Sequence, residues 1–145
     1  MSNNLEPLSA AGWLIRFARL LDQRLRARRR DDGLGMAELG VLGEISRGAT
    51  LPSALARATL LDPARVTRIV DRLVGLELVT RRVSPLDRRQ SPLELTERGR
   101  GRLEQGRADV REIMTGLLEP LDGAERDALA MSLGAIQRVL ANLDG

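Results

Sequence analysis

The apolar residues of this chain change period twice. From Leu14 to Leu76 they recur at helical spacing, between Leu78 and Leu95 they alternate, and beyond Thr96 the helical spacing returns. That order calls for helices on both sides of one short β-hairpin, a mainly α fold. Trp13 and Phe17 are the only aromatic residues, so Leu, Val, Ile, Ala and Met must fill the core.

The helical stretches divide at clear punctuation. A first helix is expected from Ser9 to Arg30, with Leu14, Phe17, Leu21 and Leu25 on one stripe and Asp31-Asp32-Gly33 ending it. A second runs from Met36 to Arg47, with Leu39, Leu42 and Ile45 inward and Gly48 as its stop. Leu51-Pro52-Ser53 opens a short third helix, in which Leu55 and Ala58 face inward. Asp62-Pro63 opens a fourth, with a capping carboxylate followed by Pro at the first helical position. Val66, Ile69, Val70, Leu73 and Leu76 form its apolar stripe.

Next, Leu78–Val83 reads as a strand, residues 84–88 as a turn, and Leu93 and Leu95 as a return strand. Thr96 caps a long helix to Leu118. Asp122 and Glu125 have capping-box spacing before a last helix striped by Leu129, Leu133, Ile136, Leu140 and Leu143. The long terminal helices carry more apolar surface than one chain of this size covers, which points to a second copy as partner.

Two short helices followed by a hairpin form a winged helix-turn-helix. Such a unit sets its second helix in the major groove of duplex DNA. Arg65, Thr67, Arg68 and Arg72 lie on the outer faces of that helix, and Ser53 at the start of the preceding one is grouped with them. Arg can fork onto guanine O6 and N7, while Thr can bond a phosphate or touch a thymine methyl. Asp62 is expected to cap, and Asp71 to restrain Arg68 or Arg72. The hairpin tip, Asp87-Arg88-Arg89, suits an adjacent minor groove. Charge agrees: residues 47–89 hold 9 Arg against 4 acids, and residues 90–145 hold 7 against 10.

Other chemistries find little support. The chain has no Cys and no His, which removes disulfides, thiol chemistry, the commonest metal ligands and the commonest neutral-pH base. There is no Gly-rich phosphate loop and no clustered carboxylate ligand set, so neither an enzyme nor a metal or cofactor site is expected. No apolar run suits a signal peptide or a membrane span, and the reading is a soluble, cytoplasmic protein.

The segment VTRIVDRLVGLELVTRRVSPLDRRQSPLELTERGR, residues 66–100, resembles the MarR family of bacterial regulators. The likeness runs from Gly35 to Gly99. It rests on the recognition helix Val66–Leu76, the wing sequence Asp87-Arg88-Arg89 and the helix start Leu95-Thr96-Glu97-Arg98-Gly99. The resemblance implies a sequence-specific regulator of transcription, bound as a homodimer to a pseudo-palindromic operator on double-stranded DNA. It implies a DNA-binding part over residues 35–96 and helical dimerisation parts over residues 1–34 and 97–145. Asp87 and Arg89 would pair to shape the wing, and Arg88 and Arg89 would serve DNA contact.

Many members are repressors released by a small aromatic or anionic effector. For that role Trp13, Arg16 and Phe17 are the candidates; for Trp13 a packing role in the core or dimer interface is the alternative. Three departures from the family pattern stand out: Pro92 in the return strand, Gly40 and Gly43 interrupting the second helix, and Gly40 where urate-responsive relatives carry an acid. The alternative function is a winged-helix interaction or dimerisation module that does not bind DNA.

Overall fold

The computed structural model describes residues 7–28, 31–83, 86 and 91–143. In chain order its elements are α1 (Pro7–Arg28), α2 (Met36–Ser46), α3 (Pro52–Thr59), α4 (Pro63–Gly75), β1 (Val79–Arg81), β2 (Leu93–Leu95), α5 (Glu97–Leu118) and α6 (Gly123–Ala141). Helices dominate, and a single hairpin interrupts them where the sequence period drops to two. The wing sequence Asp87-Arg88-Arg89 lies outside the described residues.

Contacts divide the chain into two units, Met1–Arg111 and Glu112–Gly145. The first holds α1 to α4, the hairpin and the larger part of α5. Its core joins Leu25 of α1, Leu39, Val41, Leu42 and Ile45 of α2, and Leu55 of α3. Val66, Ile69, Val70 and Leu73 of α4, Val79 and Leu93 of the strands, Leu103 of α5, and Leu34 and Leu78 between elements complete it among the described residues. All are aliphatic, as a chain with two aromatic residues requires.

Local chemistry sets the boundaries. Asp62 caps α4, accepting from the Ala64 and Arg65 amides at 2.9 and 3.2 Å, and Pro63 follows at a position that needs no amide donor. The α3–α4 turn is made at Leu60, whose φ of 55° is left-handed. Ala58 differs from its expected inward placement: it is exposed, and Leu55 alone of α3 is buried.

The strands pair antiparallel, with Val79 opposite Leu95, Thr80 opposite Glu94 and Arg81 opposite Leu93. β1 is shorter than its alternating pattern suggested. Val83 is exposed, although the Arg82 amide still reaches the Pro92 carbonyl at 2.8 Å. Pro92 stands just outside β2, where its missing amide leaves no ladder bond unmade. The next amide, Leu93, donates to Thr50 O at 2.9 Å, so β2 is fastened on both edges.

The second unit contains the end of α5 and α6. Its capping box is formed: Glu125 N donates to Asp122 Oδ1 at 2.8 Å, and Asp122 N to Glu125 Oε2 at 3.0 Å. Of the expected α6 stripe, Leu129 is half-buried, while Leu133, Ile136, Leu140 and Leu143 are exposed.

Candidate nucleic-acid interface

The burial of α4 fixes what its outer surface offers. With Val66, Ile69, Val70 and Leu73 inward, a period of 3.6 residues sets Arg68 opposite the buried stripe. Arg65 and Arg72 share one flank, Thr67 and Asp71 the other. Arg65, Thr67 and Arg68 are all exposed, as is Ser53 in the first turn of α3. Thr67 bonds back to the Pro63 carbonyl at 3.1 Å, which fixes its hydroxyl against the helix. Among the described residues neither Arg65 nor Arg68 is held in an ion pair, so both guanidinium groups keep donors for a ligand.

Arg72 differs from its neighbours. Its Nη1 donates to Glu38 Oε1 at 3.1 Å and its Nη2 to the Asp32 carbonyl. The side chain is only 43% exposed. It therefore faces α2 and the α1–α2 segment, not the outer surface shared by Ser53 and Arg68. Asp71 also departs from expectation. It pairs with Arg81 of β1 at 2.6 Å, not with Arg68 or Arg72, and ties α4 to the hairpin.

Glu38, which the sequence reading passed over, is the hub on this side of the unit. Only 7% exposed, it takes Arg26 Nη2 of α1 at 3.2 Å, the Gly35 amide at 3.0 Å and Arg72 of α4. Arg26 in turn holds Asp22 at 2.9 Å and the Gly33 carbonyl at 2.7 Å. The Asp32 carboxylate receives Arg102 of α5 in a two-bond fork at 2.5 and 3.1 Å. Gly35 leaves room for this pair, because a Cβ would lie 2.3 Å from Asp22 Oδ1 and 2.4 Å from Arg26 Nη2 and the two side chains would have to shift. One local signal was visible, the three-residue spacing of Gly35 and Glu38 at a helix start. The long-range partners were not.

These pairs move proton affinities in the direction of charge. The Arg102 fork, set against partial burial, holds the Asp32 carboxyl below the ordinary carboxylate range. Burial pushes Asp22 upward, but bonds from Arg26 and the Met36 amide, with the charge of Arg26 and Arg65, leave it lowered. The bond to Asp22 raises Arg26.

Beside this network lies a cleft of about 1060 Å³. Ile15, Ala18, Arg19, Asp22 and Arg26 of α1 line one side, and Met36, Gly40, Thr59, Leu61 and Arg65 are on its other walls. Trp13, Arg16 and Phe17, the residues expected to meet an effector, cluster on the other side of α1. There Arg16 stacks on the Trp13 ring at 5.1 Å, with Trp13 61% and Phe17 41% exposed. They are brought together, but not into this cleft. Among the described residues, no group of three or more His, Cys, Asp or Glu could hold a metal ion, and no helix is long and apolar enough to cross a membrane.

The family model described as MarR family matches residues 32–90, which spans α2 to the hairpin. The HTH-type transcriptional regulator YhbI of Bacillus subtilis (strain 168) is 34% identical over 92 residues, 63% of this chain and 60% of that protein's length. The HTH-type transcriptional regulator Mb0904 of Mycobacterium bovis is 29% identical over 110 residues, 75% of this chain and 77% of that protein. Among solved structures, a probable transcriptional regulator from Pseudomonas aeruginosa superposes with a TM-score of 0.69 at 30% identity, covering 86% of this chain and 95% of that one. A mutant MarR from E. coli complexed with operator DNA superposes with a TM-score of 0.67 at 27% identity, covering 93% and 99%. With α2, α3, α4 and β1 inside the matched segment, and with a 30% identical solved regulator covered over 95% of its length, the chain belongs to the MarR family of transcriptional regulators.

Proposed function

We propose that this chain binds double-stranded operator DNA sequence-specifically as a homodimer in the cytoplasm and represses transcription until a small aromatic or anionic effector binds. The observation that carries the DNA reading is the division of α4. Its aliphatic stripe is buried, while Arg65, Thr67 and Arg68 are exposed and Arg68 has no ion pair among the described residues. Arg68 would read a base edge in the major groove, with Ser53, Thr67 and Arg65 on flanking phosphates. Arg88 and Arg89 of the wing sequence would reach the neighbouring minor groove, with Asp87 shaping the turn through Arg89. The solved complex of a MarR relative with operator DNA supports this assignment.

Residues 35–96 would form the DNA-binding part, and residues 1–34 and 97–145 the dimerisation part. The exposed apolar residues of α1 and α6 support the second assignment. The cleft beside α1 suits the effector better than the Trp13 face does. It is large enough for a small aromatic acid, and Arg19 and Arg65 stand on its walls to receive a carboxylate. Trp13 and Phe17 then serve the dimer contact.

Selection of duplexes from a random library by the full chain tests the function. Enrichment of two related half-sites about 10 base pairs apart, centre to centre, is expected. Absence of any enriched duplex would leave a winged-helix interaction module in its place.

A further inference from the structure

We propose that Glu38 and Arg72 form a positioning pair that sets the roll of the recognition helix α4, so that Arg72 acts through Arg68 rather than by touching DNA. This rests on the DNA-binding reading above. The stripe Val66, Ile69, Val70 and Leu73 holds α4 against the core. Aliphatic contacts are non-directional, however, and a smooth stripe resists separation more than rotation. Rotation must be stopped at the flanks, and each flank of α4 carries a directional bond. On one side Asp71 meets Arg81 of β1 at 2.6 Å. On the other, Arg72 reaches Glu38 at 3.1 Å.

The two flanks are unequal. Asp71 and Arg81 are 62% and 43% exposed, so water and salt compete for that pair. Arg72 is as exposed as Arg81, at 43%, but its partner Glu38 is only 9% exposed, and the surroundings of Glu38 are themselves fixed. Its second oxygen takes Arg26 and the Gly35 amide, while the Asp32 carbonyl takes the other arm of Arg72. Asp32 is anchored to α5 through Arg102. Arg72 is thus clamped by groups of α2 and of the α1–α2 segment, and these are tied in turn to α1 through Arg26 and to α5 through Arg102.

Arg68 lies one turn before Arg72 on the same helix. A roll that broke the Glu38 bond would swing Arg68 across the groove, whereas base readout tolerates errors of only about 0.5 Å.

This arrangement and a simple DNA contact by Arg72 predict opposite signs. If Glu38 merely restrained a DNA-binding Arg72, Glu38→Gln would free a cation and remove a negative charge, and affinity for any duplex would rise. If the pair positions α4, Glu38→Gln lowers affinity for a selected duplex roughly tenfold and leaves a scrambled duplex of equal length bound as well as before or slightly better. The experiment uses the full-length wild type, Glu38→Gln, Arg72→Gln and the double variant. Each is titrated by fluorescence anisotropy with the duplex that the wild type selects and with its scrambled counterpart, over a salt series, after circular dichroism has established folding.

The expected result is a loss of discrimination in both single variants. The double variant should lose little more than either, and the salt slope on the scrambled duplex should not change. Arg72→Gln is the second probe should Glu38→Gln fail to fold. A scrambled-duplex slope shallower by about 0.9 in Arg72→Gln would mean a lost phosphate contact and would overturn the proposal. So would raised affinity of Glu38→Gln for the selected duplex, or unchanged discrimination in the folded variants. A wild type that selects no duplex fails at the earlier step and removes the DNA-binding reading itself, and this proposal with it.

Discussion

Gly99 lies directly against the backbone of Leu78, so closely that a Cβ on Gly99 would stand 1.9 Å from the Leu78 carbonyl oxygen. The contact closes a seam between the end of α4 and the start of α5. The Thr96 amide donates to that same carbonyl at 3.1 Å. The Thr96 hydroxyl donates to the Glu77 carbonyl at 2.7 Å and accepts the Gly99 amide at 2.9 Å. Thr96 therefore caps α5 and anchors it to Glu77, a residue turned into the left-handed region at φ 59°.

A methyl group at position 99 has nowhere to go, because its obstacle is backbone and cannot rotate aside. Gly99→Ala should destabilise the fold by about 3 kcal/mol, the upper end of ordinary overpacking. Its melting temperature should fall by roughly 10 °C. A melting curve within a degree or two of wild type would show that the seam gives way freely.

Arg68 should dominate sequence discrimination. It stands opposite the buried stripe of α4 and is exposed without an acid partner. Arg68→Ala should cost about 1–3 kcal/mol on a selected duplex and relax preference at one base position. Stability should barely change, since surface substitutions away from such features stay within about 0.5 kcal/mol. Competition binding against singly substituted duplexes measures both effects. A uniform loss across all duplexes would reassign Arg68 to phosphate.

The sequence carried α4 and its cap in full, because Asp62-Pro63 and a 3.6-residue stripe are local signals. The two strands were legible from alternation around Val79 and Leu95, but alternation did not give their register or the early end of β1 at Arg81. The role of Arg72 was not. Helical spacing tells which side of α4 a residue occupies, yet it is silent on what packs there, and Glu38 lies 34 residues away. Asp32 and Arg102 are 70 residues apart. Such pairs depend on how α1, α2 and α5 converge, and a charge written in a sequence does not name its partner. The α1 stripe shows the converse limit. Leu14, Phe17, Leu21 and Leu25 share one periodicity, but only Leu25 is buried.

Acid should weaken the fold through the same ion pairs. Asp32 and Asp22 are both held below the ordinary carboxylate range when folded. A carboxyl so depressed contributes stability that is fully present above its unfolded value of about 3.9 and is lost as pH falls through its folded value. Urea midpoints should therefore stay level from neutral pH to about 5 and decline below about pH 4. Asp32→Asn should be less stable at neutral pH and decline less steeply, so the two curves converge in acid. Parallel curves would mean that the Arg102 fork contributes nothing to the acid limb.

Dimerisation should depend on α6. Met131 is 77% exposed, Val139 62%, Leu140 46% and Ile136 40%, all on one helix of 19 residues. Single exposed apolar residues are ordinary, but a run of them along a whole helix marks a contact surface. Wild type should sediment as a dimer at low micromolar concentration; a stable 15.9 kDa species would sink the assignment. Ile136→Asp probes the surface without disturbing a core, because no residue of α6 is buried within the chain. Each copy would lose about 1.5 kcal/mol of apolar burial, and two-fold symmetry applies the loss twice. The dimer dissociation constant should then rise on the order of a hundredfold, with the helical content of the monomer unchanged. Operator affinity should fall in step at dilute protein, since one subunit would engage one half-site. Unaltered dimerisation in Ile136→Asp would exclude this face of α6 from the interface.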